Sequence, residues 1–263
     1  MKKIFAILLA LSMLFALAAC GQQAAAPKSD SDLAYVKGKG VLIVGITDFA
    51  PMDYKDANGE WIGFDADLAR AFADSIGVKV EFLEIDWDNK LLELNDKNID
   101  CIWNGMTLTN EVLASMGCSE PYWNNSQVVV LKADVAALYP DADSMKDLSF
   151  AVEAGSAGEA AAEEAGFQCT AMLTQADALM EVAAGTSDAC VIDLSMAKAM
   201  TGAGTSYDDL VYEVALNEEV YGVGFRQGSD LVAAYNDFYA KAFADGTVGS
   251  IAETYDVAEF IIG

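Results

Sequence analysis

The chain has 263 residues, of which 54% are apolar, so it is long enough for two domains with hydrophobic cores and is not a disordered or disulfide-dependent chain. Its 41 acidic residues against 15 basic ones give a formal net charge of −26, which argues against a nucleic-acid partner because phosphate would be repelled. It contains no histidine, which excludes Ser-His-Asp catalysis and histidine-ligated zinc, and we expect neither a metal nor a cofactor.

The N-terminus is predicted to be an export signal and not part of the fold. Two lysines precede an apolar stretch at 4–16 that is short for a membrane span. The sequence Leu-Ala-Ala-Cys-Gly at 17–21 resembles a bacterial lipobox, in which the signal is cut before Cys20 and its thiol receives a lipid; the alternative is an ordinary signal with a coincidental cysteine. We predict a signal peptide at 1–19, a lipid-anchored tether at 20–33, and an extracytoplasmic protein held at the cell membrane.

Strands and helices alternate in the first half of the remaining chain. The strands are predicted at 41–46, 78–85 and 99–103. The first helix covers 64–77, the second is capped by Asp88, and the third begins after Thr109. This β-α-β-α-β order predicts a parallel sheet with right-handed crossovers.

The same order recurs in the second half. The strands are predicted at 149–153, 168–173 and 189–193. A capping box of Ser156 with Glu159 begins one helix, and Thr174 caps the next. A helix, a short loop and a buried strand at 92–102 have a counterpart at 180–191, which indicates either two equivalent lobes or merely common α/β architecture.

Two extended runs, at 126–132 and 220–226, are predicted to cross between two lobes. The helical segment at 229–263 has no strand partners of its own, so we expect it to return to the first lobe. The predicted fold class is α/β, with two Rossmann-like lobes joined by two hinge crossovers and separated by a cleft. The lobes are predicted to comprise 34–126 with 222–263, and 127–221.

Four cysteines follow Cys20, and none is spaced as Cys-x-x-Cys. They are Cys101, Cys118, Cys169 and Cys190. An exported protein can form disulfides. Cys101 and Cys190 lie in apolar, strand-like runs, which favours buried free thiols, but the pairing stays open.

The predicted strand ends carry chemically useful residues. Ligands of open α/β sheets bind beyond the carboxyl ends of the strands. Those ends carry Phe49, Trp87 and residues 104–107 in the first lobe, and residues 153–158 and Asp193 in the second. Topology therefore brings aromatic faces, hydroxyls, carboxylates and a helix N-terminus to one cleft, which favours a small-molecule site.

Four motifs carry a family resemblance. They are Phe-Ala-Pro at 49–51, Gly-Glu-Trp-Ile-Gly-Phe-Asp-Ala-Asp-Leu-Ala at 59–69, Asn-Gly-Met-Thr-Leu-Thr at 104–109 and Ser-Glu-Pro-Tyr at 119–122. In this order, behind a lipobox, they resemble the family 3 extracellular solute-binding proteins, the polar amino-acid receptors of ABC importers. The resemblance implies a periplasmic-binding-protein-like fold of type II and a monomer that binds an amino acid by hinge closure. It also implies ABC permease subunits as partners and no enzymatic activity.

The resemblance assigns roles to single residues. Phe49 and Trp87 would pack against the ligand's side chain, and Asp193 would hold its ammonium group. The groups that would hold its α-carboxylate are Asn104, Gly105, Met106, Thr107, Ser156 and Ala157. Asp193 could instead cap a helix at 194–200.

Two positions bear on the ligand. The family usually has an arginine at the position of Val112, where it makes a two-pronged bond to the carboxylate. We expect Lys90 to replace it; the alternatives are a solvated Lys90 and a ligand that is a cationic amine. Glu153, at a position where the family tunes specificity, suits a cationic or amine-bearing ligand, or is a rim residue in water.

Two other classes of function compete with a transport receptor. A secreted lyase-like or hydrolase-like enzyme on the same fold could use Glu153 and Asp193 as acid and base, although no nucleophile with a base accompanies them. A signalling module is the other alternative. Turnover of a candidate ligand would distinguish the enzyme from the receptor.

Overall fold

The computed structural model describes residues 31–263. The predicted signal peptide, Cys20 and nearly all of the predicted tether lie outside the described residues. Within the described range, no helix is both long and apolar enough to span a membrane.

Strands and helices alternate along the described chain. The strands are β1 (Val41–Ile46), β2 (Tyr54–Lys55), β3 (Trp61–Ile62), β4 (Lys79–Glu84), β5 (Cys101–Ile102), β6 (Gly117–Cys118), β7 (Trp123–Asn125), β8 (Gln127–Lys132), β9 (Ser149–Glu153), β10 (Gln168–Met172), β11 (Ala189–Asp193), β12 (Leu210–Ala215), β13 (Glu219–Tyr221) and β14 (Gly224–Phe225). The α-helices are α1 (Asp32–Lys39), α2 (Phe64–Ile76), α3 (Lys90–Asn95), α4 (Asn110–Ser115), α5 (Ala133–Ala136), α6 (Ala157–Glu164), α7 (Gln175–Ala184), α8 (Leu194–Met200), α9 (Leu231–Ala244) and α10 (Thr247–Thr254).

The first lobe is built on a five-stranded sheet in the order β4-β1-β5-β14-β6. β4, β1 and β5 are parallel, as predicted, whereas β14 and β6 are antiparallel to their neighbours. β14 joins this sheet in the antiparallel direction because it comes directly from the crossover, without the helical connection that parallel pairing needs. Helices α9 and α10 pack against α2 of this lobe.

The second lobe repeats this arrangement in the order β10-β9-β11-β8-β12. β10, β9 and β11 are parallel to one another, and β8 is antiparallel to both of its neighbours, β11 and β12. In both lobes, the first strand of a β-α-β-α-β unit lies between the second and the third. An antiparallel strand lies on the other side of the third strand.

An aspartate next to the third strand makes the same backbone bonds in both lobes. Asp100 Oδ2 accepts from the N–H of Ile43 in β1 at 2.8 Å, and the Asp100 N–H donates to the Ile43 carbonyl at 2.7 Å. Asp188 Oδ2 accepts from the N–H of Ser149 in β9 at 2.9 Å, and the Asp188 N–H donates to the Ser149 carbonyl at 3.0 Å. The sequence repeat therefore marks equivalent positions in the two lobes.

Two short strands, β7 and β13, connect the sheets as an antiparallel ribbon, with Asn125 opposite Glu219. The predicted crossing at 126–132 is wrong, because residues 127–132 form β8, which lies between β11 and β12 and is buried in the second sheet. The predicted crossing at 220–226 is correct only in its first residues, since β14 already belongs to the first sheet.

The helix after β4 begins earlier than predicted. The capping residue is Asp86 and not Asp88: the Asp86 side chain accepts from the Asp88 N–H and starts a 3-10 turn at Trp87–Asn89, which continues into α3. Asp86 has the extended backbone typical of an N-cap, whereas Asp88 already lies inside the turn.

The buried residues follow the predicted periodicity. Leu68 and Phe72 of α2 are fully buried, and Trp103, which follows β5, is fully buried as well. The four cysteines after Cys20 are free thiols in the structure; Cys101 and Cys190 are buried, and Cys118 and Cys169 are partly buried.

Candidate ligand-binding cleft

A cavity of about 600 Å³ lies between the two lobes and is lined by residues of both. Ten of the eleven candidate site residues line it. They are Trp87, Lys90, Asn104, Gly105, Met106, Thr107, Glu153, Ser156, Ala157 and Asp193. Val112, on α4, is also part of this wall. The exception among the candidates is Phe49.

Phe49 lies behind the cavity wall. Its side chain is buried, with 2% exposed, and its ring is next to Gly105. Gly105 has a φ of +56°, and a Cβ there would lie only 2.5 Å from Phe49 Cε1. Because glycine leaves this space open, the ring supports the Asn104–Gly105 turn from behind. The expectation that Phe49 contacts the ligand therefore differs from the structure, in which Trp87 is the aromatic residue of the wall.

Hydrogen bonds fix the turn after β5. Asn104 Oδ1 accepts from the N–H and the hydroxyl of Thr47, at 3.0 and 2.8 Å. Asn104 Nδ2 donates to the Thr47 carbonyl at 3.1 Å and to Asp53 Oδ2 at 2.8 Å. The Gly105 N–H donates to Asp65 Oδ2 at 2.8 Å, and the Tyr122 hydroxyl donates to the same carboxyl group. Two buried acids thus hold this turn.

Asp53 and Asp65 are fully buried, so solvent does not stabilise their charged forms. Burial raises the pKa of Asp65 to about 7, against the lowering effect of the hydrogen bonds from Gly105 and Tyr122. Burial also raises the pKa of Asp53 well above its usual range, and the negative charge of Asp65 adds to this. One or both of these carboxyls are therefore protonated in mildly acidic solution.

Asp193 ends β11 and is surrounded by neutral donors. Its Oδ1 accepts from Asn125 Nδ2, from Gln127 Nε2 at 2.8 Å and from the Tyr221 hydroxyl at 2.7 Å. Its Oδ2 accepts from Gln175 Nε2. Its side chain does not bond to the backbone of α8, so the helix-cap alternative is wrong. Burial, followed by the charge of Glu219, raises the pKa of Asp193 to about 7.

Glu219 connects Asp193 to the first lobe. Its Oε1 accepts from Asn125 Nδ2, Gln127 Nε2 and Thr107 Oγ1, each at 2.8 Å. Sequence reasoning missed this polar network because its members come from distant parts of the chain. The available signal was the pair Asn125 and Gln127, which are polar residues directly before an apolar run.

Glu153 ends β9, and 3% of its surface is exposed. The alternative of a rim residue in water is therefore wrong. Its Oε1 has no hydrogen-bond partner among the described residues, although the side chain lines the cavity. Burial, followed by the charge of Asp193, raises the pKa of Glu153 to about 8.

Lys90 bridges the two lobes. Its Nζ donates to the Trp87 carbonyl at 3.1 Å and to the Gly155 carbonyl of the second lobe at 2.8 Å, and it lies 4.9 Å from the centre of the Trp87 ring. The alternative of a solvated surface lysine is wrong, and burial lowers the pKa of the Lys90 ammonium.

The predicted capping box at the start of α6 is only half formed. Ser156 Oγ accepts from the Glu159 N–H at 3.0 Å, as expected. Glu159 Oε2, however, accepts from the Gly155 N–H at 2.7 Å and not from the Ser156 N–H. Within residues 31–263, no cluster of acidic or cysteine side chains is arranged to hold a metal ion.

Two α/β lobes of equal topology, a two-stranded connection and a cavity between the lobes define a type II periplasmic binding protein. The model of the bacterial extracellular solute-binding proteins, family 3, matches residues 42–257. The chain belongs to this family.

Relatives and solved structures agree with this assignment. The arginine-binding extracellular protein ArtP of Bacillus subtilis is 29% identical over 271 residues, covering 98% of this chain and 100% of the relative. The P235GK mutant of ArgBP from T. maritima superposes with a TM-score of 0.80 at 29% identity, covering 85% of this chain and 98% of that one. An ABC uptake transporter substrate-binding protein from Streptococcus pneumoniae with bound histidine superposes with a TM-score of 0.79 at 27% identity. The match covers 86% of this chain and 96% of that one.

The raised carboxyl pKa values predict how stability depends on pH. Asp53 and Asp65 keep protons in the folded chain that the unfolded chain has lost, so their contribution to the free energy of unfolding should be highest below the unfolded pKa of 3.8 and should fall as pH rises to about 7. Chemical denaturation of the ligand-free protein at several pH values measures this slope.

Asp53→Asn provides the control for this measurement. It removes one titrating group and keeps an oxygen that can accept from Asn104, so the slope should become shallower. Stability that rises between about pH 5 and about pH 7, or an unchanged slope in the variant, would contradict the assignment.

Proposed function

We propose that this chain is the solute receptor of an ABC importer, working as a monomer. It captures a small polar solute that carries an ammonium group and delivers it to the membrane permease. The observation that carries this proposal is the buried, fixed carboxylate of Asp193 in the cleft wall. Its Oδ1 already accepts three hydrogen bonds, whereas its Oδ2 accepts one, from Gln175. An ammonium group at Oδ2 would offset the desolvation of both charges.

The relatives support this class of ligand. ArtP is an arginine-binding protein, and the pneumococcal structure holds histidine. Both amino acids carry an ammonium group, and their side chains can carry a second positive charge. Glu153 would add to the attraction of such a ligand here, because its Oε1 has no partner among the described residues and it lies near the charge of Asp193.

Binding without catalysis is the function we propose. Three of the four hydrogen bonds to Asp193 converge on one oxygen, and a second carboxylate, Glu219, shares two of the same donors. This arrangement holds a charge in place, which suits recognition of a cation. A catalytic base would in addition have to be free to take up and release a proton during each turnover.

Asp193→Asn should weaken ligand binding at least about tenfold, because a hydrogen bond to a charged group contributes about 1.5–3 kcal/mol. A thermal-shift panel of amino acids and amines first finds a ligand for the unmodified protein. Titration calorimetry then compares the two proteins. Asp177→Asn, on α7 and outside the cavity wall, is the matched control and should bind normally. Equal affinity of the Asp193 variant and the unmodified protein would refute the role of Asp193.

We propose that lobes 34–126 with 222–263, and 127–221, close on the ligand by rotation about the β7–β13 ribbon. Two contacts would form on closure: the bond from Lys90 to the Gly155 carbonyl, and the bond from Thr107 to Glu219. A ligand held between Asp193 and the first lobe interacts fully only with the closed form. It would therefore shift an existing equilibrium towards closure.

Small-angle scattering tests this closure. The radius of gyration should decrease when saturating ligand is added, since the lobes move together about the ribbon. The Asp193→Asn variant at the same ligand concentration should show a smaller decrease. A radius of gyration that does not change in the unmodified protein under saturating ligand would count against hinge closure.

We also propose that a lipid on Cys20 anchors the chain to the cell membrane, which would keep the receptor near its permease. Cys20→Ala should move the protein from the membrane fraction to the soluble fraction of a bacterial host. Cys118→Ala, in the folded part, should leave it in the membrane fraction. A Cys20 variant that stays membrane-bound to the same extent would exclude this anchor.

A further inference from the structure

The cavity wall has many more acidic than basic side chains. Its acidic members are Asp88, Glu111, Glu153, Glu159, Glu163 and Asp193. Lys90 is the one basic side chain in the wall among the described residues. Glu153 and Asp193 are buried, whereas Asp88, Glu111 and Glu163 are exposed. The negative charge thus extends from the buried end of the cavity to its solvent-exposed side.

Two side chains of the wall that could donate to a carboxylate are already engaged within the protein. Both amide hydrogens of Asn104 are donated, to the Thr47 carbonyl and to Asp53. The Thr107 hydroxyl donates to Glu219. Because these hydrogens are engaged, a ligand carboxylate next to them would have to break existing bonds.

Lys90 is engaged in the same way. Its ammonium donates to two backbone carbonyls, Trp87 and Gly155, and the nearby charges of Glu153, Asp88 and Glu111 act on it. Its positive charge is therefore already balanced by the protein. A ligand carboxylate would have to compete with two carbonyls and with these acids for the same ammonium.

The acceptors of the cavity, in contrast, are open. Glu153 Oε1 is buried and has no hydrogen-bond partner in the described chain, and Asp193 Oδ2 accepts a hydrogen bond from Gln175. A buried carboxylate oxygen without a donor is costly, so this position calls for a positively charged donor. Trp87 lines the same cavity, with the Lys90 ammonium 4.9 Å from its ring centre, and its indole can pack against an alkyl stem.

We infer that the ligand is an organic amine with two or more positive charges and no carboxylate. This inference rests on the proposed function and narrows its ligand class. One ammonium lies between Glu153 and Asp193, the alkyl stem runs along Trp87, and a second cationic group faces the exposed acids around Glu111. A zwitterionic amino acid would bring its carboxylate into a wall that has six acidic side chains and one basic side chain among the described residues.

Matched pairs of ligands test this inference, because the members of each pair differ only in the carboxylate. The pairs are lysine with cadaverine, ornithine with putrescine, and arginine with agmatine. Titration calorimetry with the unmodified protein should give an amine affinity at least about tenfold above that of its amino acid in each pair that binds.

Amino acids that bind as tightly as their amines, or more tightly, would overturn the inference and leave the proposed receptor function standing. The carboxylate would then be received by the first N–H groups of α6. Binding of no amine and no amino acid in the panel would refute the receptor function and the inference together.

Two variants of the cavity wall test the proposed ligand class further. Glu153→Gln keeps the shape and removes the charge, so it should weaken amine binding at least about tenfold, whereas Glu164→Gln, an exposed acid of α6 outside the wall, should not change it. Val112→Arg adds a fork-shaped donor to the wall and should shift the preference of each pair towards the amino acid. Amine binding that is unaffected by Glu153→Gln would overturn the inference.

Discussion

The arrangement of the two lobes depends on two neighbouring carboxylates, of which Asp193 is buried and Glu219 is partly buried. Asp193 and Glu219 share the amide groups of Asn125 and Gln127, each of which donates to both acids. These donors are neutral, so they reduce the cost of desolvating two adjacent charges without removing the repulsion between them. Thr107 joins the network through Glu219. The first lobe, the connecting ribbon and the second lobe therefore meet at a point that lacks a positive charge.

In the mechanism we propose, this imbalance would link ligand capture to lobe closure. In an open arrangement, water would stabilise the charges of Asp193 and Glu153. In the structure described here, burial raises the pKa values of both groups, which means that their charged forms are less stable than in water. A cation that enters the cavity would stabilise the charged forms and, in the proposed mechanism, the closed arrangement. The bond between Lys90 and the Gly155 carbonyl adds a contact between the lobes that needs no ligand.

Sequence patterns predicted the positions of the site residues better than their contacts. Apolar runs and caps locate strand ends, and the rule for parallel sheets places Trp87, Glu153 and Asp193 on one cleft. The pattern could not show that Phe49 lies behind the wall, because that depends on the missing Cβ of Gly105 and its positive φ. Nor could it show that β8 lies inside the second sheet, because an apolar run fits a buried strand and a crossing equally well.

The choice of ligand depends on which hydrogen bonds are already made, and this is a property of side chains more than of the fold. Asn104 stands where an amino-acid receptor would be expected to bind a carboxylate, yet its amide hydrogens go to Thr47 and Asp53, more than fifty positions earlier in the chain. Val112 of α4 is partly buried and lines the cavity, so exchanging it for a basic residue would alter the charge of the wall. One backbone frame can therefore keep its topology while the side chains of its cavity change. Membership of the family accounts for the fold, and the proposed ligand class rests on the acceptors of Glu153 and Asp193.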